Sequence, residues 1–477
     1  MSASTDVNVK KVLSGLGLGM FLAALDQTVT STASLTISQH FHKVTDQSWL
    51  MTIYIAASLL TTPIYGRLSD SFGRRRLFIA GLALFGAGSL VAAAAQGYWL
   101  LIAARGLQGL GAGGLFSLAF AVIADLVPVK ERGRYILLFV LIFGSASILG
   151  PLLGGVIASQ ISIAGIAGWR WIFIFNLPFV LAAIYQSAKH LPSVKHKVFG
   201  SFDWLGTLAF TVVIALVLAI AQLSRLGTHI SLRTSLIVVL VIAVLGFGFA
   251  EKIKKSDALF PIEFFKHRGF LLTILTSAVA SGAMLIALTV NPLSIQIVQH
   301  RSPVVAGLVL LAMGFGNLFG SGYANRVFAK DGSHRLLGAI GSIFMAGGFI
   351  PMFASPSIVS ISFGLFILGI GSGLINQFTS ATAPSMLGSE HRGAASAINT
   401  LVRQVGGLFG VSLAMATIFY FWKVPASFTV STLSAAQRSA FINAAKPAYF
   451  ASALTLVVMA LLARAIPKIS NSQLVED

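Results

Sequence analysis

The sequence has no cysteine and few acidic residues. Only 10% of its 477 residues are charged, and 14 are Asp or Glu, whereas a soluble domain usually carries about 25% charged residues. Without cysteine, the chain has no disulfide and no thiolate metal site. It also has no nucleotide-binding loop of the GxxxxGK[ST] type and no helical His/carboxylate metal motif. These absences argue against an enzyme, an ATP-driven pump and a metal site, and we expect no cofactor.

Long apolar runs are abundant instead. Hydrophobic residues make up 56% of the chain, and a bilayer-spanning helix needs roughly 20 mostly apolar residues. Such runs recur along the whole sequence, the last at residues 447–466. We predict an all-α polytopic membrane protein with 14 transmembrane helices. Two six-helix bundles, residues 1–200 and 257–477, would flank an inserted two-helix hairpin at residues 201–256.

The formal net charge of +19 has two explanations, nucleic-acid binding and membrane topology. With a cytoplasmic N-terminus, 23 of the 33 Lys and Arg residues fall on the cytoplasmic side and 8 on the outer side, while 2 lie inside spans. This bias follows the positive-inside rule. We therefore expect a multi-pass protein of the cell (plasma) membrane with both termini in the cytoplasm and no nucleic-acid partner.

The segment GLGAGG at residues 109–114 fits the dinucleotide-binding pattern GxGxxG. That pattern binds a cofactor where it follows a strand and opens a helix. Here the segment lies inside an apolar run, so we interpret its glycines as a surface for close helix packing.

Asp26 is a carboxylate deep inside the first predicted span. It lies 15 residues after Lys11 and 17 before Lys43, so at 1.5 Å per residue it is about 22 Å from the nearest flanking charge. A carboxylate at such depth costs about 2.5–3.5 kcal/mol and should face a cavity or a partner. Thr30 and Ser34 follow at helical spacing and extend a polar stripe. The alternatives are functional use of the acid and hydrogen bonding between helices for packing alone.

Two arginines also lie inside predicted spans. Arg105 is in LIAARGLQGLGAGG (residues 101–114), and Arg403 is in INTLVRQVGGLFG (residues 398–410). Each is either a structural cation satisfied by backbone carbonyls or part of a functional site.

Six motifs follow one another along the chain: LDQTVTSTASLTI (25–37), GRLSDSFGRRRLF (66–78), LIAARGLQGLGAGG (101–114), GSASILGPLLGG (144–155), WRWIFIFNLP (169–178) and GAASAINTLVRQVGGLFG (393–410). In these motifs the sequence resembles the Major Facilitator Superfamily, specifically its fourteen-span drug:proton antiporter family, over essentially its whole length. The resemblance implies a proton-coupled secondary active exporter of lipophilic or cationic drug-like compounds that works by alternating access. The alternative is a dedicated metabolite or lipid exporter of the same fold. A receptor or scaffold on this fold would need large soluble loops, which the sequence lacks.

Three features depart from that family pattern. Ser31 and Leu35 stand where family members usually have Asn and Pro. The second-half counterpart of the loop motif, at residues 322–335, is degenerate, and the late spans carry no acidic residue. The last departure argues against export of polyvalent cations.

The resemblance also implies roles for individual residues. Asp26 and Arg105 would couple transport to protons, with Asp26 alternating between neutral and ionised forms. A conformational latch would consist of Gly66, Asp70, Gly73, Arg74, Arg75 and Asp125, with Arg74 paired to Asp125. Plain positive-inside charge is the alternative for these basic residues. The antiporter helix would bend or pack closely at Gly144, Gly150, Pro151, Gly154 and Gly155, which suits either the rocking of a bundle or a seal against protons.

We expect the substrate to bind between the two bundles. The predicted substrate-binding residues are Asp26, Thr30, Ser34, Gln108, Phe143, Asn376, Phe378 and Arg403. The proton gradient would supply the energy. We expect membrane lipids, protons and a small-molecule substrate as partners, and a monomeric protein.

Overall fold

Almost every residue that the structure describes is helical. This computed structural model describes residues 9–127, 129–160, 162–192, 204–223, 230–254, 262–329, 335–387, 392–422, 424 and 433–466. Long apolar segments form helices because in lipid each backbone N–H and C=O must find its partner within the chain. The chain divides into two compact units, Met1–Phe202 and Asp203–Asp477.

The first unit contains six long helices. They are α1 (Val9–His40), α2 (Trp49–Phe72), α3 (Arg74–Ala94), α4 (Tyr98–Leu126), α5 (Val129–Ser159) and α6 (Arg170–His190). A 3-10 turn at Val44–Asp46 precedes α2. Two short antiparallel strands, β1 (Ser162–Ile163) and β2 (Ile166–Ala167), connect α5 to α6, with Ser162 opposite Ala167. Helix α1 packs against α5 and α6, while α4 packs against α2 and α3.

The second unit contains eight long helices and one short one among its described residues. They are α7 (Trp204–Leu223), α8 (Ile230–Lys254), the short α9 (Ile262–Phe265), α10 (Arg268–Ile297), α11 (Pro303–Ala329), α12 (Arg335–Ala354), α13 (Ile358–Ser385), α14 (Arg392–Trp422) and α15 (Ala435–Ala463). Helix α13 packs against α11 and α12, α10 packs against α14, and α15 packs against α12.

The prediction of an all-helical polytopic membrane protein is confirmed. Within the described ranges, eleven helices are long and apolar enough to cross a membrane. Helices α5 and α8 contribute shorter apolar stretches, Gly144–Ser159 and Val238–Phe249. Helices α7 and α8, where the sequence predicts a hairpin, pack against each other. The count of fourteen spans and the three-part division of the chain stay predictions.

The last helix is longer than the sequence predicts. It begins at Ala435 instead of residue 447, because Ser434 and Gln437 form a capping box that satisfies the first backbone groups of α15. The predicted span starts just after the charged residue Lys446, whose ammonium group lies 5.5 Å from the ring centre of Phe353. A charge inside a helix can be accommodated where its side chain lies against an aromatic face.

Helices α1 and α5 approach closely beside Asp26. A Cβ atom added to Gly154 would lie 2.6 Å from the carbonyl oxygen of Val29 and 3.0 Å from its Cα. The hydroxyl of Thr28 donates a hydrogen bond of 3.1 Å across the same interface, to the carbonyl of Ala146. Glycine is therefore needed at position 154 for backbone-to-backbone contact, as is common between membrane helices.

The contact between α1 and α5 can be tested by adding one methyl group. We expect Gly154→Ala to destabilise the purified protein by about 1–3 kcal/mol, because the overpacked backbone must shift. The matched control is Gly246→Ala in α8, where nothing lies within 4 Å of the added atom. The measurement is the thermal unfolding midpoint in detergent. Equal midpoints for the two variants would show that the contact contributes no stability.

Candidate functional site

Asp26 and Arg105 form a buried ion pair in the first unit. Helix α1 carries Asp26 and α4 carries Arg105, and their exposed fractions are 1% and 0%. The Nη1 atom of Arg105 donates a hydrogen bond to Oδ2 of Asp26. The two charges that the sequence predicts to act together therefore lie in direct contact, away from solvent and from lipid.

Three further polar side chains extend the hydrogen bonds of this pair, although Nη2 of Arg105 has no partner among the described residues. Gln108 donates from Nε2 to Oδ1 of Asp26 at 3.2 Å and to the hydroxyl of Ser89 at 2.8 Å, and it accepts from Nη1 of Arg105 at 2.8 Å. Asn176 donates from Nδ2 to Oδ1 of Asp26 at 2.9 Å. The network joins α1, α3, α4 and α6, and Asp26 accepts from three side chains.

Arg105 is also held by an aromatic ring and a backbone carbonyl. Its Nε atom donates to the carbonyl of Leu50 at 3.1 Å. Its guanidinium carbon lies 4.4 Å from the ring centre of Tyr54, a cation–π distance. The hydroxyl of Tyr54 in turn donates to the carbonyl of Ala23 at 3.1 Å. Helix α2 therefore supplies the guanidinium with a backbone acceptor and an aromatic ring.

In this geometry the carboxyl of Asp26 and the guanidinium of Arg105 are hydrogen-bonded to each other. Burial opposes both charges, and their contact offsets part of that penalty, so removing one partner leaves the other charge buried without compensation.

The polar stripe predicted on α1 continues beyond Asp26. Thr30 and Ser38 are both 0% exposed, and their hydroxyls have no hydrogen-bond partner among the described residues. Between them, Ser34 is 5% exposed and donates to the carbonyl of Ser31 at 2.9 Å. Thr52 of α2 has a buried hydroxyl that is likewise unpartnered within the described ranges. Buried hydroxyls normally bond to protein or to water, so these unpartnered hydroxyls have bonding capacity left for water molecules.

The predicted latch residues lie at the junction of α2 and α3. Gly73 ends α2 and begins α3 with φ of 87°, a conformation that favours glycine. Arg75 donates from its guanidinium to the carbonyl of Ala188 in α6. Gly66 has open space where a Cβ would lie. Arg74 is partly buried, but the side chains of Asp70 and Asp125 lie outside the described part of the chain, so the predicted Arg74–Asp125 pair is not described.

The antiporter helix is continuous through its glycines and proline. Pro151 lies inside α5, which runs unbroken from Val129 to Ser159. A Cβ on Gly150 would overlap the side chain of Thr28, two residues after Asp26. Gly155 is buried and Gly144 is partly exposed. This helix therefore packs along α1 at the level of the carboxylate.

The predicted substrate residues of the second unit separate into two environments. Arg403 in α14 donates from Nη1 to Oδ1 of Asn376 in α13, at 3.4 Å. Phe378 is 1% exposed and belongs to a hydrophobic cluster with Leu337 and Leu374. Its ring therefore contributes to the core. The side chain of Phe143, on α5, lies outside the described part of the chain.

Two residues of the network, Asn176 and Ser89, are missing from the sequence prediction. Asn176 is an amide within the apolar run IFIFNLPF, so it carries the same signal that identifies Asp26. Ser89 carries no such signal, because a serine in a membrane helix can satisfy its hydroxyl on its own backbone. Ser89 does so as well, donating to the carbonyl of Phe85 at 3.0 Å.

The ion pair can be tested by a double-mutant cycle. We expect Asp26→Leu alone to destabilise the protein by about 3–5 kcal/mol, because Arg105 is left buried without its counter-charge. Adding Arg105→Met should recover most of that loss. Thermal unfolding in detergent measures the two single variants and the double variant. Asp46→Leu in the 3-10 turn is the control. A double variant whose loss equals the sum of the two single losses would contradict a direct coupling between these charges.

Several known proteins are similar to this chain. Multidrug resistance protein 3 of Bacillus subtilis (strain 168) is 30% identical over 420 residues, which cover 86% of this chain and 80% of that protein. Multidrug transporter protein MdtP of the same organism is 29% identical over 415 residues, covering 85% of this chain and 75% of that protein. A crystal structure of a bacterial homologue of the human lysosomal transporter Spinster, inward-facing and unoccupied, superposes with a TM-score of 0.69, covers 98% of both chains and is 14% identical.

The solved structure supports the fold, and the sequence relatives support the family. The family model described as Major Facilitator Superfamily matches residues 16–411. These findings confirm the resemblance drawn from the six motifs and the prediction of a transporter in place of an enzyme. The chain belongs to the Major Facilitator Superfamily of membrane transporters.

Proposed function

We propose that this transporter is a proton-coupled exporter of lipophilic drug-like molecules in the cell membrane, with both termini in the cytoplasm. One observation carries the proposal: a fully buried Asp26 sits in contact with Arg105, and four helices hold them together. An intramembrane carboxylate is costly and is usually retained for function.

Proton binding to Asp26 and ion pairing with Arg105 exclude each other. When Oδ2 takes a proton, its attraction for the Arg105 guanidinium is lost, and the buried cation must move toward another acceptor or toward water. Gln108 bonds to both members of the pair, so it shifts with them. Protonation is therefore converted into a rearrangement of α1, α3, α4 and α6, and the proton gradient supplies the energy without a cofactor.

The hydroxyl stripe on α1 is the proposed route for the proton. Thr30, Ser34 and Ser38 follow Asp26 at four-residue intervals toward the end of α1 at His40. Their hydroxyls both donate and accept, so they can align water molecules along the helix. With the N-terminus of α1 in the cytoplasm, this route opens to the outer side.

The relatives support export of drug-like molecules. Two proteins at 29–30% identity are named for multidrug resistance and multidrug transport. We extend that activity to this chain as a monomer surrounded by membrane lipids, with lipophilic compounds as substrates.

Asp26→Asn tests the coupling. In inside-out vesicles we expect uptake of a lipophilic dye to lose its response to an imposed pH gradient, because an amide cannot carry the proton. Exchange of labelled for unlabelled dye without a gradient should persist, which separates loss of coupling from unfolding. Asp26→Glu should retain partial coupling. Asp46→Asn is the control, and a pH response in Asp26→Asn as large as in the wild type would refute the role.

The proton route can be tested with single cysteines, because the natural chain has none. We expect cysteines at positions 30, 34 and 38 to react with a charged methanethiosulfonate reagent added from the outer side, since thiolates form where water reaches. The control is Ala33→Cys, at a position that is 0% exposed within a hydrophobic cluster. If positions 30 and 38 react no faster than position 33, water does not follow the stripe.

A further inference from the structure

Arg403 is a charged residue deep in the second unit. It lies 11 residues after Arg392, the first residue of α14, which places it about 16 Å along the helix axis. A cation at such depth costs about 2.5–3.5 kcal/mol unless it is paired or hydrated. Its side chain is partly exposed. The described residues therefore do not enclose this cation completely.

Among the described residues, Arg403 has one weak hydrogen-bond partner. A guanidinium has five N–H donors, and Arg403 uses one of them in a long bond of 3.4 Å to Oδ1 of Asn376. Among the described residues, no carboxylate pairs with it. Arg105 in the first unit differs in every respect, because Asp26, Gln108 and Leu50 all accept from it. Within the described ranges, Arg105 is paired with a carboxylate and Arg403 is not.

The described acids of the second unit do not compensate this charge. They are Glu251, in the last turn of α8, and Glu263, in the short helix α9. Neither belongs to α13 or α14, which carry Asn376 and Arg403. The interior of this unit therefore has an uncompensated positive charge in its described part.

A second polar group beside Arg403 has an unused bonding capacity. Asn399 lies one turn earlier on α14, is 4% exposed, and has an Oδ1 atom without a partner among the described residues. Because the two ends of an amide exchange places by rotation, this buried end can present either an acceptor or a donor to a ligand. Arg403, Asn376 and Asn399 form what we call the arginine–amide site.

The backbone around this site is held firmly. One and two turns beyond Arg403, α14 packs against the backbone of α10, with a Cβ on Gly410 placed 2.5 Å from the Cα of Gly282. Small residues at such contacts bring helices close together and limit their movement. Arg403 therefore cannot escape its position by a shift of the helix.

We propose that the arginine–amide site binds a carboxylate group of the transported molecule. A guanidinium binds carboxylates with two parallel charge-assisted hydrogen bonds, and the uncompensated charge repels a cationic group at the same place. The preferred substrate is then a lipophilic molecule with a free carboxylate, in place of the cationic compounds that the sequence predicts. This inference deepens the proposed function by naming a substrate class, but it does not depend on proton coupling.

The test is equilibrium binding of a matched dye pair to the purified full chain in detergent, without a gradient. The pair is rhodamine B, which has a free carboxylate, and its ethyl ester, with fluorescence anisotropy as the readout. We expect the wild type to bind the acid about tenfold more tightly than the ester, the ratio that one charge-assisted hydrogen bond supplies. Arg403→Gln should abolish this preference. The affinity for the acid should fall, while the affinity for the ester should stay within about twofold of the wild-type value.

Two further variants make the result specific. Arg403→Lys keeps the charge and should keep part of the preference, since a lysine binds carboxylates as a point charge. Arg326→Gln removes an exposed arginine at the end of α11 and should leave both affinities unchanged. Equal weakening of both dyes by Arg403→Gln, a wild-type preference for the ester, or no binding of the acid would each overturn the inference. A failure of proton coupling would appear in the vesicle assay and leave this binding ratio intact.

Discussion

The first unit depends on one constraint: the carboxylate of Asp26 and the guanidinium of Arg105 are both buried and in contact with each other. Neither Asp26 nor Arg105 could stay charged there alone, because the effective penalty of burying an unpaired ion is several kcal/mol. Four helices therefore contribute a hydrogen-bond partner or a charge to one small volume, and a fifth, α2, adds the ring of Tyr54 and the carbonyl of Leu50. A packing arrangement that displaced any of these helices would leave a polar group unsatisfied, so the pair specifies the arrangement as well as the site.

The residues that the sequence could identify are those that are costly in lipid. Asp26 and Arg105 are charges in apolar runs, and Gln108 lies one turn after Arg105. The sequence therefore predicts that these polar side chains share a site, without giving their contacts. Asn176 carries the same signal more weakly, since an unpaired amide costs less than an unpaired charge. The contribution of Ser89 depends on how α3 is rotated, which no local pattern specifies. The sequence places the start of α15 too late, because hydropathy marks only the apolar part of a helix. The first turns of α15 are polar, and its start is set by the capping box at Ser434 and Gln437.

Helix α1 has two faces with opposite requirements. On one face, Thr28 and Val29 lie against the glycines of α5, with backbone atoms in contact. On the other, Asp26, Thr30 and Ser34 form a polar stripe. The glycine contact leaves α1 little freedom to slide along α5, because backbone atoms in contact are hard to displace. In the proposed function the proton therefore travels to the acid, along the hydroxyls of the stripe.

The same network determines how substrate and proton can influence each other. Both oxygens of Asp26 are occupied by Arg105, Gln108 and Asn176, and the side chain is 1% exposed. In this arrangement the carboxylate has no free face for a substrate, and the role of Asp26 as a substrate-binding residue stays a prediction. In the proposed function, coupling acts through the helices that the network joins. An effector that shifts an equilibrium does so by its differential affinity for two arrangements. In the proposed function the proton has that differential, because its binding to Asp26 excludes the ion pair with Arg105. A substrate also needs a differential affinity for the two arrangements, and a charged contact of its own would supply it. Among the described residues, Arg403 is a deep cation that pairs with no carboxylate.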